Sequence, residues 1–274
     1  VGCMKTPLLK LSHRNLERGL CTLACALLGL WCFQHIAQGV YEAAKFDGFI
    51  ANGPFQLYNP LRRLAAGQIA GQDFQFFHGL GVPFLHYPLF ALFGKTFYAA
   101  ELSRQLTSLI FYLAPLFALA IVATKGKLSH ASIGSVVIIY LNIFITPDEL
   151  TPFTWLATAG NSLLGVRSAF PLLTFAVLLS DLRLARKAVL SGICLALTLC
   201  CGTEHGLAML LIVFGVGGLT MGIRYGRKFR TEARTALESP LFFALAFASF
   251  VVSLCVIYLT LSTPSGMVAA LRYN

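Results

Sequence analysis

Continuous apolar runs separated by short polar turns dominate the chain. They cover residues 19–37, 106–124, 131–146, 168–182, 188–201, 206–223 and 240–261. A helix crossing a bilayer takes about 20 apolar residues, with ~17 as the usual lower bound, whereas a barrel strand alternates over ~10. Unbroken runs of this length predict an all-α polytopic transmembrane helical bundle of about seven spans, the fourth and fifth of them short. Punctuation supports the boundaries: Pro147 closes the third run, and Gly202–Thr203–Glu204–His205 separates the fifth from the sixth.

The stretch 38–105 breaks this pattern. It is too polar and too rich in Gly and Pro to cross a bilayer, and it predicts a long first external loop containing interfacial helices. Asn59–Pro60 reads as a helix start and Gly67 as its stop. Leu61, Leu64 and Ala65 then form an apolar face, with Arg62 and Arg63 off it. Residues 82–93 are apolar, but the run is short and holds Pro83 and Pro88, so it reads as a re-entrant or interfacial helix. Phe74, Phe76, Phe77, Phe84 and Tyr87 suit the same depth, where aromatic rings collect.

Composition agrees with lipid as a solvent. The 274 residues are 57% hydrophobic and 12% charged, and mean hydropathy is +0.75. An ordinary soluble domain is about 25% charged. The net charge of +10 does not indicate nucleic acid, because it is distributed by membrane side. With seven spans, the N-terminus and the loops 125–130, 183–187 and 224–239 share one side and hold two thirds of the Lys and Arg. Glu42, Asp47, Asp73, Glu101, Asp148, Glu149 and Glu204 fall on the other. The positive-inside rule makes the basic side cytoplasmic. The expectation is an integral, multi-pass protein of the plasma (inner) membrane with a cytoplasmic N-terminus. Residues 1–274 read as a single transmembrane domain. The chain opens on Val1 and stops soon after an apolar run, which reads as a fragment lacking its C-terminal part. The eight cysteines lie in apolar runs or the basic tail with no CxxC pair, and read as small packing residues.

Ionisable groups at membrane depth are costly and point to function. Asp47 lies just beyond the first span, and Asp73 precedes an aromatic run. Two carboxylates in one loop can divide labour, one as general base and one as an orienter or metal ligand. Arg62 and Arg63 can clamp a phosphate, since a guanidinium matches its oxygens bidentately, or can reach lipid headgroups. His78 and His86 lack the helical spacing of a metal pair. Each is either a site residue or a hydrogen-bonded packing residue. Glu204 and His205 sit at the mouth of two short helices, where they could reach a shared cavity. Asp148 and Glu149 follow Pro147 and can cap a helix. Arg104 and Arg167, at external helix ends, read as snorkelling cations.

The ordered series is informative. It runs from an acid after the first span to Leu61–Arg62–Arg63–Leu64–Ala65–Ala66–Gly67–Gln68, Gly71–Gln72–Asp73–Phe74, His78, Pro83 and Phe90–Ala91–Leu92–Phe93–Gly94. This resembles the first external loop of polytopic glycosyltransferases with the GT-C fold. Gly202–Thr203–Glu204–His205–Gly206–Leu207 is similar to a polar turn at a later helix pair in that group, without its lysine. The resemblance implies transfer of a sugar from a polyprenyl- or dolichyl-phosphate donor to an acceptor on the non-cytoplasmic face. It also implies Asp47 as the catalytic acid residue and Asp73 as the second. Asp47 is followed by Gly48, where the family often has an adjacent acid.

Such chemistry needs a base for the acceptor hydroxyl and a counter-charge for the lipid phosphate. Arg62, Arg63 or a divalent cation would supply the latter; metal dependence is left open. The alternatives are a transporter or lipid flippase, which would favour midplane charges and inverted repeats, and a non-catalytic membrane scaffold.

Overall fold

A computed structural model describes residues 7–44, 54–145, 164–226 and 239–273. Asp47, Asp148 and Glu149 lie outside the described residues. Regular structure within them is all helical, apart from one isolated bridge between Ala70 and Phe74. In order, the elements are α1 (Pro7–Ala44), α2 (Pro54–Ala65), α3 (Gly81–Leu92), α4 (Phe97–Ala123), α5 (Leu128–Ile145), α6 (Leu164–Leu179), α7 (Leu184–Cys201) and α8 (Thr203–Leu210). A π-helical turn (Leu211–Val216) joins α8 to α9 (Gly217–Gly226), and α10 (Pro240–Leu261) and α11 (Pro264–Tyr273) follow.

Among the described residues, five helical stretches are long and apolar enough to cross a membrane: Asn15–Tyr41 of α1, Phe97–Ala123, Leu184–Cys201, Thr203–Thr220 and Pro240–Leu261. This makes the chain an all-helical, multi-pass membrane architecture. Leu128–Tyr140 in α5 and Gly165–Leu179 in α6 are apolar but shorter. The run at Pro240–Leu261 has the predicted limits, because Pro at the first helical position sets a sharp start.

Two boundaries differ from expectation for physical reasons. Helix α4 begins at Phe97, well before residue 106. Thr96 caps it by accepting from the Ala99 N–H at 3.1 Å, and Glu101 and Arg104 then pair one turn apart, which lets both charges enter the helix. Arg104 is therefore buried, and the expectation that it snorkels is corrected. Arg167 is likewise buried inside the fold, not spread at the surface. Helix α2 begins at Pro54 and carries Pro60 inside it, so Asn59–Pro60 is not its start. Gly67, with φ +79°, does end the segment. Its left-handed backbone is one that glycine adopts without a Cβ penalty.

Small residues allow close helix contact. A Cβ on Gly165 of α6 would collide with the Ser108 backbone of α4, and one on Gly192 of α7 would collide with the Ala246 backbone of α10. Membrane helices pack closely where small residues let the backbones approach. The 54–80 region belongs to the same core as the bundle: Leu61 of α2, Phe76, Val82 of α3, Ala100 of α4, Val166 of α6 and Tyr258 of α10 share one buried cluster. The seven described cysteines are free thiols.

Contacts between turns sort them by end of the bundle. Glu17 of α1 accepts from the Ser129 hydroxyl at the start of α5, joining the N-terminal basic segment to the 125–130 turn. At the other end, the Ser262 hydroxyl beyond α10 donates to the Ala70 carbonyl, and Thr263 donates to the Gln72 side chain at 3.1 Å. Gly79 and Gly81 lie against Cys200 and Cys201 at the end of α7. The 66–80 loop, the α7–α8 turn and the α10–α11 turn thus share one face.

Candidate functional site

This shared face carries most of the sequence-predicted site residues, and the loop after α2 is its scaffold. The Asp73 N–H donates to the Ile69 carbonyl at 2.8 Å, while Asp73 Oδ2 accepts from the Ile69 N–H at 2.7 Å. One carboxylate oxygen is thereby committed to closing a turn, as Asp commonly does. Arg63 reaches over the same turn. Its Nη1 donates to the Asp73 carbonyl at 3.0 Å, and its guanidinium lies 5.9 Å from the Phe74 ring centroid, within cation–π range. Arg62, one residue earlier, is exposed. The adjacent arginines therefore do not act as a matched clamp in this arrangement: one braces the loop and the other faces outward.

Gly71 is where the loop meets the end of α10. Its φ is +82°, and a Cβ there would lie 2.7 Å from the Gly266 carbonyl oxygen. Only a glycine permits both the backbone conformation and the approach. Gly79 plays the same part against α7, with φ +106° and the Cys200 carbonyl directly against it.

His78 and His86 have different surroundings. His78 is buried beside the rings of Phe76 and Phe77, the latter centroid only 3.9 Å away. His86 of α3 is fully buried. Its Nδ1 lies 2.7 Å from the Val82 carbonyl, and a carbonyl only accepts, so Nδ1 carries the proton. Nε2 is then a bare acceptor, and it has no hydrogen-bond partner. Helix α3 is too short to span a membrane. Burial lowers the His86 pKa to about 4, the Val82 carbonyl acting against the shift and the Arg104 charge adding to it. His86 is thus a neutral packing residue at neutral pH.

Two ion pairs, each holding a buried arginine, were not legible as such from the chain. On α4, Arg104 Nη2 donates to Glu101 Oε2, the side chains 8% and 4% exposed. Next to Arg104 on the same helix, the Gln105 carbonyl accepts from His35 Nε2 of α1 at 3.3 Å, and Trp31 stacks on His35 at 5.6 Å. A Cβ on Gly39 would collide with the Gln105 side chain. The C-terminal half of α1 therefore lies along the first turns of α4. The signal for α4 was a polar stripe of Glu101, Arg104, Gln105 and Ser108 at helical spacing, hidden by the habit of reading charges as loop.

The second pair joins α6 to α8. Arg167 Nη2 donates to Glu204 Oε2, with the arginine side chain 4% exposed and the glutamate side chain 82% exposed. Gly202 lies beside the pair, where a Cβ would come into ordinary van der Waals contact with the Arg167 side chain at 3.4 Å. The Gly206 N–H donates to the Gly202 carbonyl at 2.7 Å, closing the first turn of α8. His205 sits next to the pair, half-buried, with its Nδ1 buried and lacking a hydrogen-bond partner. Neither family models nor curated proteins nor solved structures give a match to this chain. The site is therefore read from its own chemistry. Among the described residues, no three His, Cys, Asp or Glu side chains gather in a metal-binding group.

The described face thus combines an anion-pairing guanidinium at the mouth of α6–α8, a histidine with an unused ring nitrogen, and an aspartate-closed loop. The arrangement can bind an anion and hold a polar group beside it.

Proposed function

We propose that the chain is a membrane glycosyltransferase that moves a sugar from a polyprenyl-phosphate donor to an acceptor hydroxyl. In this reading Asp47, which follows the end of α1 by three residues, takes the proton from the acceptor. The acceptor oxygen then bonds to the anomeric carbon, and the bond from that carbon to the phosphate oxygen breaks. The electron pair leaves on the lipid phosphate. Asp73 orients the loop through the Ile69 turn and Arg63, and His78 packs beneath it. Glu204, His205 and Arg62 are substrate-facing residues. A lipid phosphate is a good leaving group, so charge neutralisation matters more than protonation.

One observation carries this reading: the loop after α2, the α7–α8 turn and the α10 end are tied into one face by Ser262, Thr263, Gly71 and Gly79. Gly71–Gln72–Asp73–Phe74 and Gly202–Thr203–Glu204–His205, two of the motifs that resemble the GT-C group, lie on that face. The buried charges also favour it over a transporter. Glu101 and Arg104 lie in the first two turns of α4, and Arg167 in the first turn of α6, not at mid-helix. In the proposed topology α5 and α6 complete seven crossings. The basic N-terminus is cytoplasmic, and the loop face lies outside the plasma membrane.

The test is Asp47→Asn in the full-length protein. Sugar transfer should be abolished while expression and solubility in detergent match the wild type. Retained transfer would remove Asp47 from the mechanism.

A further inference from the structure

The Arg167–Glu204 pair has an unusual division of burial. The cation is almost wholly enclosed, while its carboxylate partner stands mostly in solvent. A buried guanidinium without a counter-ion is strongly unfavourable, whereas an exposed ion pair contributes little. Glu204 therefore supplies neutralising charge to Arg167 from a side chain that is itself exposed and able to move away. An incoming phosphate can take over that role. It offers more oxygens in a geometry that matches the guanidinium fork, and it lets the carboxylate return fully to water.

Two neighbouring features fit an anion arriving there. His205 Nδ1 is buried with no hydrogen-bond partner, so a donor or acceptor is available beside the pair. Gly202 has an extended backbone and no side chain, which leaves open the space beside Arg167 that a Cβ would occupy. By contrast, the loop arginines are less suited. Arg63 is spent on the Asp73 carbonyl and the Phe74 ring, and Arg62 is exposed.

From this we infer that Arg167 is the phosphate-binding residue for a phosphorylated isoprenoid lipid, and that Glu204 is its resident counter-ion, displaced when the lipid binds. The inference rests on the glycosyltransferase reading for the lipid nature of the ligand. The phosphate chemistry alone would also suit a free phosphate. No bond is made or broken in the exchange: the carboxylate and the phosphate trade places on the guanidinium.

The experiment measures equilibrium binding of farnesyl phosphate, farnesol and inorganic phosphate to the purified full-length protein in detergent. Wild type, Glu204→Gln, Arg167→Lys and Arg167→Met are compared. Removing the competing charge in Glu204→Gln should tighten farnesyl phosphate binding about tenfold, the equivalent of ~1.4 kcal/mol. Glutamine keeps the size of the side chain and an oxygen for the guanidinium, and a thermal unfolding profile matched to wild type checks that the variant is folded. Arg167→Met should abolish binding. Arg167→Lys, which keeps the charge and guards against a folding artefact, should weaken it. Farnesol should not bind in any variant.

Farnesyl phosphate affinity that is unchanged in Glu204→Gln, or that survives Arg167→Met, overturns the proposal. Inorganic phosphate binding as tightly as farnesyl phosphate overturns the lipid as ligand. The expected variant pattern in a protein that transfers no sugar supports the site and overturns the activity proposed above. Sugar transfer by a wild-type protein whose binding ignores both positions overturns the site alone.

Discussion

Glu101→Leu should be among the most damaging single changes in the described bundle, although it removes a charge from an apolar helix. Glu101 and Arg104 are one turn apart on α4 with side chains 4% and 8% exposed, so solvent does little to screen the pair. Removing the carboxylate leaves the guanidinium buried beside fully buried His86, which is already neutral there. Breaking a buried pair from one side costs about 3–5 kcal/mol, while replacing both partners with apolar residues is often neutral or better. At ~1.4 kcal/mol per tenfold, the single variant should shift the folding equilibrium by roughly two to three and a half orders of magnitude. The double variant Glu101→Leu/Arg104→Met should recover most of it. The assay is reversible unfolding in mixed micelles titrated with sodium dodecyl sulfate. Fluorescence is a suitable signal, since Trp31 stacks on the His35 that bonds the Gln105 carbonyl of the same helix. A single variant costing under about 1 kcal/mol, or a double variant as unstable as the single, would refute the view that the pairing of these two charges sustains their burial.

Two further outcomes follow from the same geometry. Asp73→Ala loses the acceptor for the Ile69 N–H, worth about 1 kcal/mol, so limited proteolysis within residues 66–74 should speed up about fivefold, while Asp73→Asn should cleave near the wild-type rate; equal rates for the two variants would contradict the turn-closing role. His86, held neutral with a pKa of about 4, binds its proton first in the unfolded chain, so stability should fall as pH drops from about 6.5 to about 4, by at most about 3 kcal/mol; His86→Gln should flatten that fall, and an identical pH profile in the variant would show that His86 is not its source.

How much of this was legible in the chain depended on whether a residue's role could be seen locally. The Pro240–Leu261 helix carries its own start signal and an unbroken apolar run, so its limits match. The short apolar helix at Gly81–Leu92 was readable for the same reason, since length alone rules out a crossing. Gly67 ends its segment because a left-handed residue is needed there. What the sequence conceals is partnership. Arg104 and Arg167 look like surface cations until Glu101 and Glu204 are placed beside them, one a turn away and the other on a different helix. The start of α4 was misplaced by the same error, because two charges that cancel do not interrupt a helix as two free charges would. Asn59–Pro60 looked like a start, yet the helix runs through it from Pro54, since burial of Leu57 and Leu61 extends the apolar face upstream.

The central claim is that this face processes a lipid-linked sugar. The most direct measurement supplies the purified full-length protein in vesicles with a polyprenyl-phosphate sugar or, separately, a nucleotide sugar, and follows release of the carrier. The account predicts that polyprenyl phosphate is released as the sugar reaches an acceptor, and that the nucleotide sugar is left unused. Consumption of the nucleotide sugar, or no release of polyprenyl phosphate by a folded protein that binds its donor, would contradict it.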